Sequence, residues 1–168
     1  MANEAYSIRR AQRADVGELL AMIRELAEYE RLADRVVGDS DRLERALFEL
    51  GAAEALIAEV EGEAVGYAIY FTTFSTFLCW PGIWCEDIFV RPQWRGSGIG
   101  RALFATVAGV AAERGYERLD WVVLEWNETA IAFYEGLGAG HLSDWQTMRL
   151  DGERLRRVAA EAPAIPSP

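Results

Sequence analysis

Cysteine and histidine are nearly missing from this chain: Cys79, Cys85 and His141 are the only three among 168 residues. Two cysteines cannot build a disulfide framework, and one histidine leaves no usual metal-ligand spacing, so neither a stapled scaffold nor a metal centre is predicted. Both thiols read as reduced and mostly structural. No apolar run approaches the roughly 18 residues of a membrane span. The opening Met1-Ala2-Asn3-Glu4-Ala5-Tyr6 has neither the basic region nor the apolar core of a secretory signal, which predicts a cytoplasmic protein. Basic residues are also scarce, 17 against 27 acidic ones for a formal net charge of -10. That balance argues against nucleic acid, which demands clustered basic surface, and suits a cationic partner.

What is present is an ordinary globular composition, 51% hydrophobic and 26% charged, at the length of one domain. Its most informative stretch is Arg95-Gly96-Ser97-Gly98-Ile99-Gly100, between the apolar run Ile88-Phe89-Val90 and a helical pattern from Ala102 to Ala108. Strand, glycine turn and helix start together present backbone N–H groups to an anion, with no Cβ in the way. A P-loop would need Lys and then Ser or Thr after the last glycine, where Arg101-Ala102 stands. A dinucleotide fingerprint counted from Gly96 would need glycine at Arg101. Both are excluded, and Arg-x-x-Gly-x-Gly remains.

The rest of the chain reads as alternating elements. Tyr6–Arg10 alternates as a first strand, and Val16, Leu19, Leu20, Ile23, Leu26 and Ala27 form the stripe of a helix running to about Leu32. Glu28 and Glu30 at its end read, on residue type alone, as a solvated face. A short helix follows the cap residues at 38–41 and carries Leu43, Ala46, Leu47 and Leu50. Residues 55–60 and 64–71 form a hairpin around Glu61-Gly62-Glu63. Thr72 to Gly82 is expected to be a long loop, Ile83 to Val90 the fourth strand, and Leu119 to Leu124 a strand buried on both faces. Asn127 caps a helix through Tyr134, and Trp145 to Leu150 reads as a last strand. The tail from Asp151 is expected to be disordered. This pattern is α/β (α+β): one domain over 1–168, core about 6–155, with a mixed sheet and helices on both faces.

Three blocks carry a resemblance. Leu26-Ala27-Glu28-Tyr29-Glu30, Glu86 through Gly100, and Leu124-Glu125-Trp126-Asn127-Glu128-Thr129-Ala130-Ile131-Ala132-Phe133-Tyr134 resemble the GCN5-related N-acetyltransferase (GNAT) superfamily. Within it they are similar to the spermidine/spermine (diamine) and thialysine acetyltransferase branch, over about Ile8 to Leu155. The resemblance implies a mostly antiparallel sheet splayed between the strand at 83–90 and the strand at 119–124, with a bulge near Ile88 to Val90. It implies acetyl-CoA as co-substrate, a small cationic amine as acceptor, and a homodimer.

Residue roles follow from the resemblance. The donor would be held by Ile88, Phe89, Val90, Arg95, Gly96, Ser97, Gly98, Ile99, Gly100, Arg101, Asn127, Ala130, Phe133 and Tyr134. Glu86 would bind the amine and drain its proton. Tyr134 would be the general acid, although residue type alone equally allows a packed core tyrosine. Tyr29, Glu30, Glu86 and Trp126 would line the amine site, with Asp144 a lesser candidate, and Arg91 reads as surface. The stretch Ser75 to Trp80 has no acid, and Ala33-Asp34 carries one where two would suit a spermine binder. Both departures favour a shorter diamine or a thialysine-like amino acid. A peptide or protein acetyltransferase and a non-catalytic coenzyme A-binding module are the alternatives.

Overall fold

The computed structural model describes residues 5–164, whose contacts divide into two compact units, one ending at Val122 and one beginning at Val123. The first unit contains β1 (Tyr6–Arg10), α1 (Val16–Tyr29), α2 (Ser40–Glu44), β2 (Glu54–Val60), β3 (Glu63–Ser75), β4 (Trp80–Val90), α3 (Ile99–Glu113) and β5 (Leu119–Asp120). A π turn, Arg45–Glu49, continues α2. The strands lie side by side in chain order, antiparallel except for the parallel pair β4 and β5.

Alternation along the strands sends apolar side chains to both faces, and each face is covered by a helix. On one side Leu56, Ala58, Val65, Ala68, Tyr70, Ile83 and Val90 pack with Ile99, Leu103, Val107 and Val110 of α3. On the other, Ile57, Tyr67, Ile69 and Phe89 pack with Leu19, Met22 and Leu26 of α1. The β2–β3 turn is Glu61-Gly62, both with positive φ (50° and 83°), the two-residue turn whose twist matches a hairpin.

Two expectations for this unit are corrected. The stretch Thr72 to Gly82 is not a long loop: β3 runs to Ser75, β4 begins at Trp80, and pairing continues from Thr72↔Ile83 to Ser75↔Trp80. Pro81-Gly82 looked like a breaker, but a glycine is required here because the chain before β5 comes so close. A Cβ on Gly82 would stand 2.9 Å from the Arg118 carbonyl oxygen, and the Ile83 N–H donates to that same oxygen. The expected strand Leu119 to Leu124 shortens to two residues, paired only at Ile83↔Leu119 and Trp84↔Asp120, so β4 leaves β5 just before Cys85.

The second unit contains α4 (Glu128–Glu135) and α5 (Gly152–Ala159). Trp145 to Leu150 is not a strand; its apolar side chains are exposed and no ladder forms there among the described residues. The tail expected to be disordered from Asp151 is instead helical over α5, while residues 165–168 lie outside the described part. No helix among the described residues is long and apolar enough to cross a membrane.

Candidate active site

The glycine loop forms a turn that leads into α3. Gly96 and Gly98 have φ of 79° and 92°, left-handed conformations that favour glycine, and Gly98 is the N-cap of α3. The first intrahelical bond of α3 runs from the Ala102 N–H to the Gly98 carbonyl. The amides of Ile99, Gly100 and Arg101 therefore have no partner within the helix, as an anion site requires. Ser97 Oγ donates to the Trp94 carbonyl at 2.6 Å, which tightens the turn without occupying those amides. Ile99 is buried and anchors the helix start, and Arg101 is exposed.

Arg95 is engaged elsewhere. Its Nε donates to the Val90 carbonyl at 2.9 Å, and its guanidinium lies 4.6 Å from the Tyr29 ring centroid and 5.8 Å from that of Phe89. Cation–π contact thus ties the loop to the end of α1. That end is sharply made: Leu32 N–H bonds to the Ala27 carbonyl and Arg31 N–H to that of Glu28, a Schellman turn whose left-handed residue is Arg31 (φ 61°) where glycine is usual. Tyr29 and Glu30 stand immediately before the turn. Tyr29 is 40% exposed, and partial burial raises the Glu30 carboxyl above its ordinary range.

The expected bulge near Ile88 to Val90 lies earlier. Tyr70 pairs with Cys85 and Ile69 with Asp87, so Glu86 is the extra residue of β4 against β3. One inserted residue reverses the facing of everything beyond it. Cys85 faces α3 with Tyr70, whereas Asp87 faces α1 with Tyr67 and Phe89. Without the bulge both would share one face. Ile88 through Val90 keep regular pairing with Ala68, Tyr67 and Gly66.

The two acids at the bulge are placed differently. Glu86 is exposed, and its Oε2 accepts from the Trp84 indole N–H at 2.9 Å. Asp87 is half-buried, and its carboxyl is pushed up to about 6, first by burial and then by the charges of Glu86 and Glu30. Tyr67 acts the other way on Asp87, its hydroxyl favouring the carboxylate. Burial and then the Asp87 charge raise the Tyr67 hydroxyl well above an ordinary phenol and push the Cys85 thiol up to about 12, which makes it inert. Cys79 is the exposed cysteine, and both thiols are free.

Arg91, read as surface, is instead largely buried. It donates to Glu25 and Glu18 of α1 and to the Ala64 carbonyl, at 2.6–3.2 Å, and pins α1 to the end of β4.

In the second unit, Asn127 caps α4, its Oδ1 accepting from the Ala130 N–H at 3.3 Å. Phe133 and Tyr134 are half-buried on that helix, their ring centroids 5.1 Å apart. Trp126 is 52% exposed, and Asp144 is exposed.

Sequence reasoning passed over three residues of the first unit: Trp84, Tyr67 and, as a group distinct from Glu86, Asp87. A pair of acids in an otherwise apolar strand was the available signal. Which face each takes depends on the bulge, which no glycine announces.

Comparison with known proteins agrees with this geometry. The Acetyltransferase (GNAT) family pattern matches residues 19–139. Proteins named thialysine N-epsilon-acetyltransferase from Sus scrofa and Bos taurus are each 39% identical over 168 residues, spanning 92% of this chain and 97% of theirs. Among solved structures, an integron cassette protein from the mobile metagenome of V. cholerae superposes with a TM-score of 0.76. It is 26% identical, over 92% of this chain and 97% of that one.

Proposed function

The chain belongs to the acetyltransferase (GNAT) family and is an N-acetyltransferase; on that premise we propose that it transfers acetyl from acetyl-CoA to a primary amine of a small cationic acceptor, a diamine or a thialysine-like amino acid. The observation that carries the acceptor assignment is the pair of acids at the β4 bulge, exposed Glu86 beside half-buried Asp87, with Glu30 near enough to raise the Asp87 carboxyl. An ammonium is the natural partner for such a group of carboxyls. The name of the 39%-identical relatives supports a lysine-like amine.

The chemistry sets what the residues must do. An alkylammonium near pKa 10.4 must lose its proton at neutral pH, at a cost of roughly 4–5 kcal/mol, before its lone pair can attack. The C–N bond then forms at the thioester carbonyl, an oxyanion develops, the C–S bond breaks as the oxyanion collapses, the nitrogen sheds its second proton and the thiolate takes one up, giving the neutral amide and thiol. The Ile99 to Arg101 amides are suited to the donor's pyrophosphate, and a backbone N–H near Ile88 to Val90 to the oxyanion. Glu86 would hold the ammonium beside Tyr29 and Glu30. Tyr134 would supply a hydrogen bond or proton to the leaving thiolate, and Asn127, Ala130 and Phe133 would contact the donor. Direct attack without an acyl-enzyme is favoured because the buried Cys85 thiol is held protonated.

The test is thiol release from acetyl-CoA across diamines, polyamines, lysine analogues and peptides, with mass spectrometry of the products. Turnover of small amines is expected. Turnover of peptides alone would mean a protein acetyltransferase, and tight acetyl-CoA binding without turnover a binding module. A stably acetylated enzyme after incubation with donor alone would refute direct transfer. The same resemblance supports a homodimer, which sedimentation would test.

A further inference from the structure

Tyr67 has no part in the steps above, yet its placement is unusual. It is fully buried in the layer between α1 and the sheet. Its hydroxyl closes no hydrogen bond of normal geometry among the described residues. A phenol stripped of water with no partner is costly, and phenylalanine would fill the space without that cost. The group it leans on is Asp87, turned to this face by the bulge at Glu86.

The groups facing Asp87 come from each neighbouring element. Tyr67 comes from β3, Glu30 from the end of α1, and Glu86 from β4 itself, while Cys85 points to the opposite face. On the same side Arg95 lies over the Tyr29 and Phe89 rings. Acids alone would make only a solvated patch. Here a buried hydroxyl that closes no hydrogen bond of normal geometry shares a face with a half-buried carboxyl that such a donor would steady. Glu86, exposed and held by Trp84, is suited to attracting an ammonium by its charge.

We propose that Tyr67 and Asp87 form a hydroxyl–carboxyl pair that receives the proton of the acceptor ammonium, with Tyr67 as the positioning residue. The inference rests on the acetyl-transfer reading. In the step, an N–H bond of the ammonium breaks and its proton forms an O–H bond on one Asp87 oxygen, while the electron pair stays on nitrogen for attack. The Tyr67 O–H donates to the other Asp87 oxygen while that group is a carboxylate, and keeps its own proton throughout. Asp87 later gives its proton to water on the open side beside Glu86. A carboxyl raised toward working pH accepts a proton better than an ordinary one.

The test uses the full-length protein with an amine it acetylates, comparing wild type, Tyr67→Phe and Asp87→Asn. Two readouts are taken: the pH profile of kcat/KM, and the titration of the Asp87 carboxyl followed by 13C NMR. Removing the hydroxyl takes a donor from the carboxylate. In Tyr67→Phe the acid limb and the carboxyl titration should therefore move together to higher pH, with kcat/KM at pH 7 falling about 5- to 10-fold and KM little changed. Asp87→Asn should abolish that limb. If the wild type turns over an amine and Tyr67→Phe moves neither readout, or Asp87→Asn keeps wild-type kcat/KM, this proposal alone is overturned. If no amine is turned over by the wild type, the acetyl-transfer reading falls and takes this one with it.

Discussion

Replacing Asp87 with asparagine should make the protein more stable at neutral pH, and by an amount that depends on pH in a defined way. The folded structure raises the Asp87 carboxyl from 3.8 to about 6, chiefly by burial. A carboxyl raised on folding contributes its full stability below its unfolded value, where it is protonated in both states. That contribution is lost as pH rises through the folded value, because the unfolded chain ionises first. The interval of about 2 pH units, at about 1.36 kcal/mol each, corresponds to roughly 3 kcal/mol. Asparagine fixes a neutral group of the same shape, and its carbonyl can accept from Tyr67. Urea denaturation of wild type and Asp87→Asn at constant ionic strength, from pH 4 to pH 8, isolates the group, since other titrations cancel in the difference. The variant's advantage should be small at pH 4, rise most steeply around pH 5, midway between the unfolded and folded values, and level off above about pH 6 at roughly 2–3 kcal/mol, some 4–10 °C in Tm. A constant offset from asparagine's own packing would leave that slope intact. A difference that is flat with pH would refute the reasoning, because Asp87 would then be no more acid-weakened in the folded protein than in the unfolded chain.

Three further outcomes follow from other parts of the molecule. Tyr134→Phe should lower kcat at least about 10-fold with acetyl-CoA affinity nearly unchanged, measured by steady-state kinetics and calorimetry; an unaltered kcat would remove Tyr134 from the chemistry. Arg31→Gly should stabilise by roughly 0.5–1 kcal/mol in denaturant titration, because glycine adopts the left-handed turn after Glu30 without strain. Gly66→Ala should cost about 1–3 kcal/mol, since its Cβ would stand 2.7 Å from the Phe89 carbonyl oxygen and push β3 away from β4 next to the site.

The sequence by itself determined the features that depend on local chemistry. Arg95 to Gly100 could be read as an anion loop because left-handed glycines and a helix start are properties of a few consecutive residues, and Gly96, Gly98 and α3 follow that reading. The amphipathic stripe of α1, the Glu61-Gly62 hairpin and the Asn127 cap were legible for the same reason. Tertiary structure decided what depends on which segments meet. Trp145 to Leu150 has the composition of a strand but joins no ladder among the described residues, and Pro81-Gly82 has that of a turn but lies in β4, Gly82 meeting the Arg118 backbone. Arg91 became a buried tie because three elements converge on it. The site turns on the same distinction. Glu86 and Asp87 are adjacent acids in the sequence, and only the extra residue in the ladder, set by how β4 pairs with β3, leaves Glu86 exposed beside Trp84 and turns Asp87 inward to Tyr67.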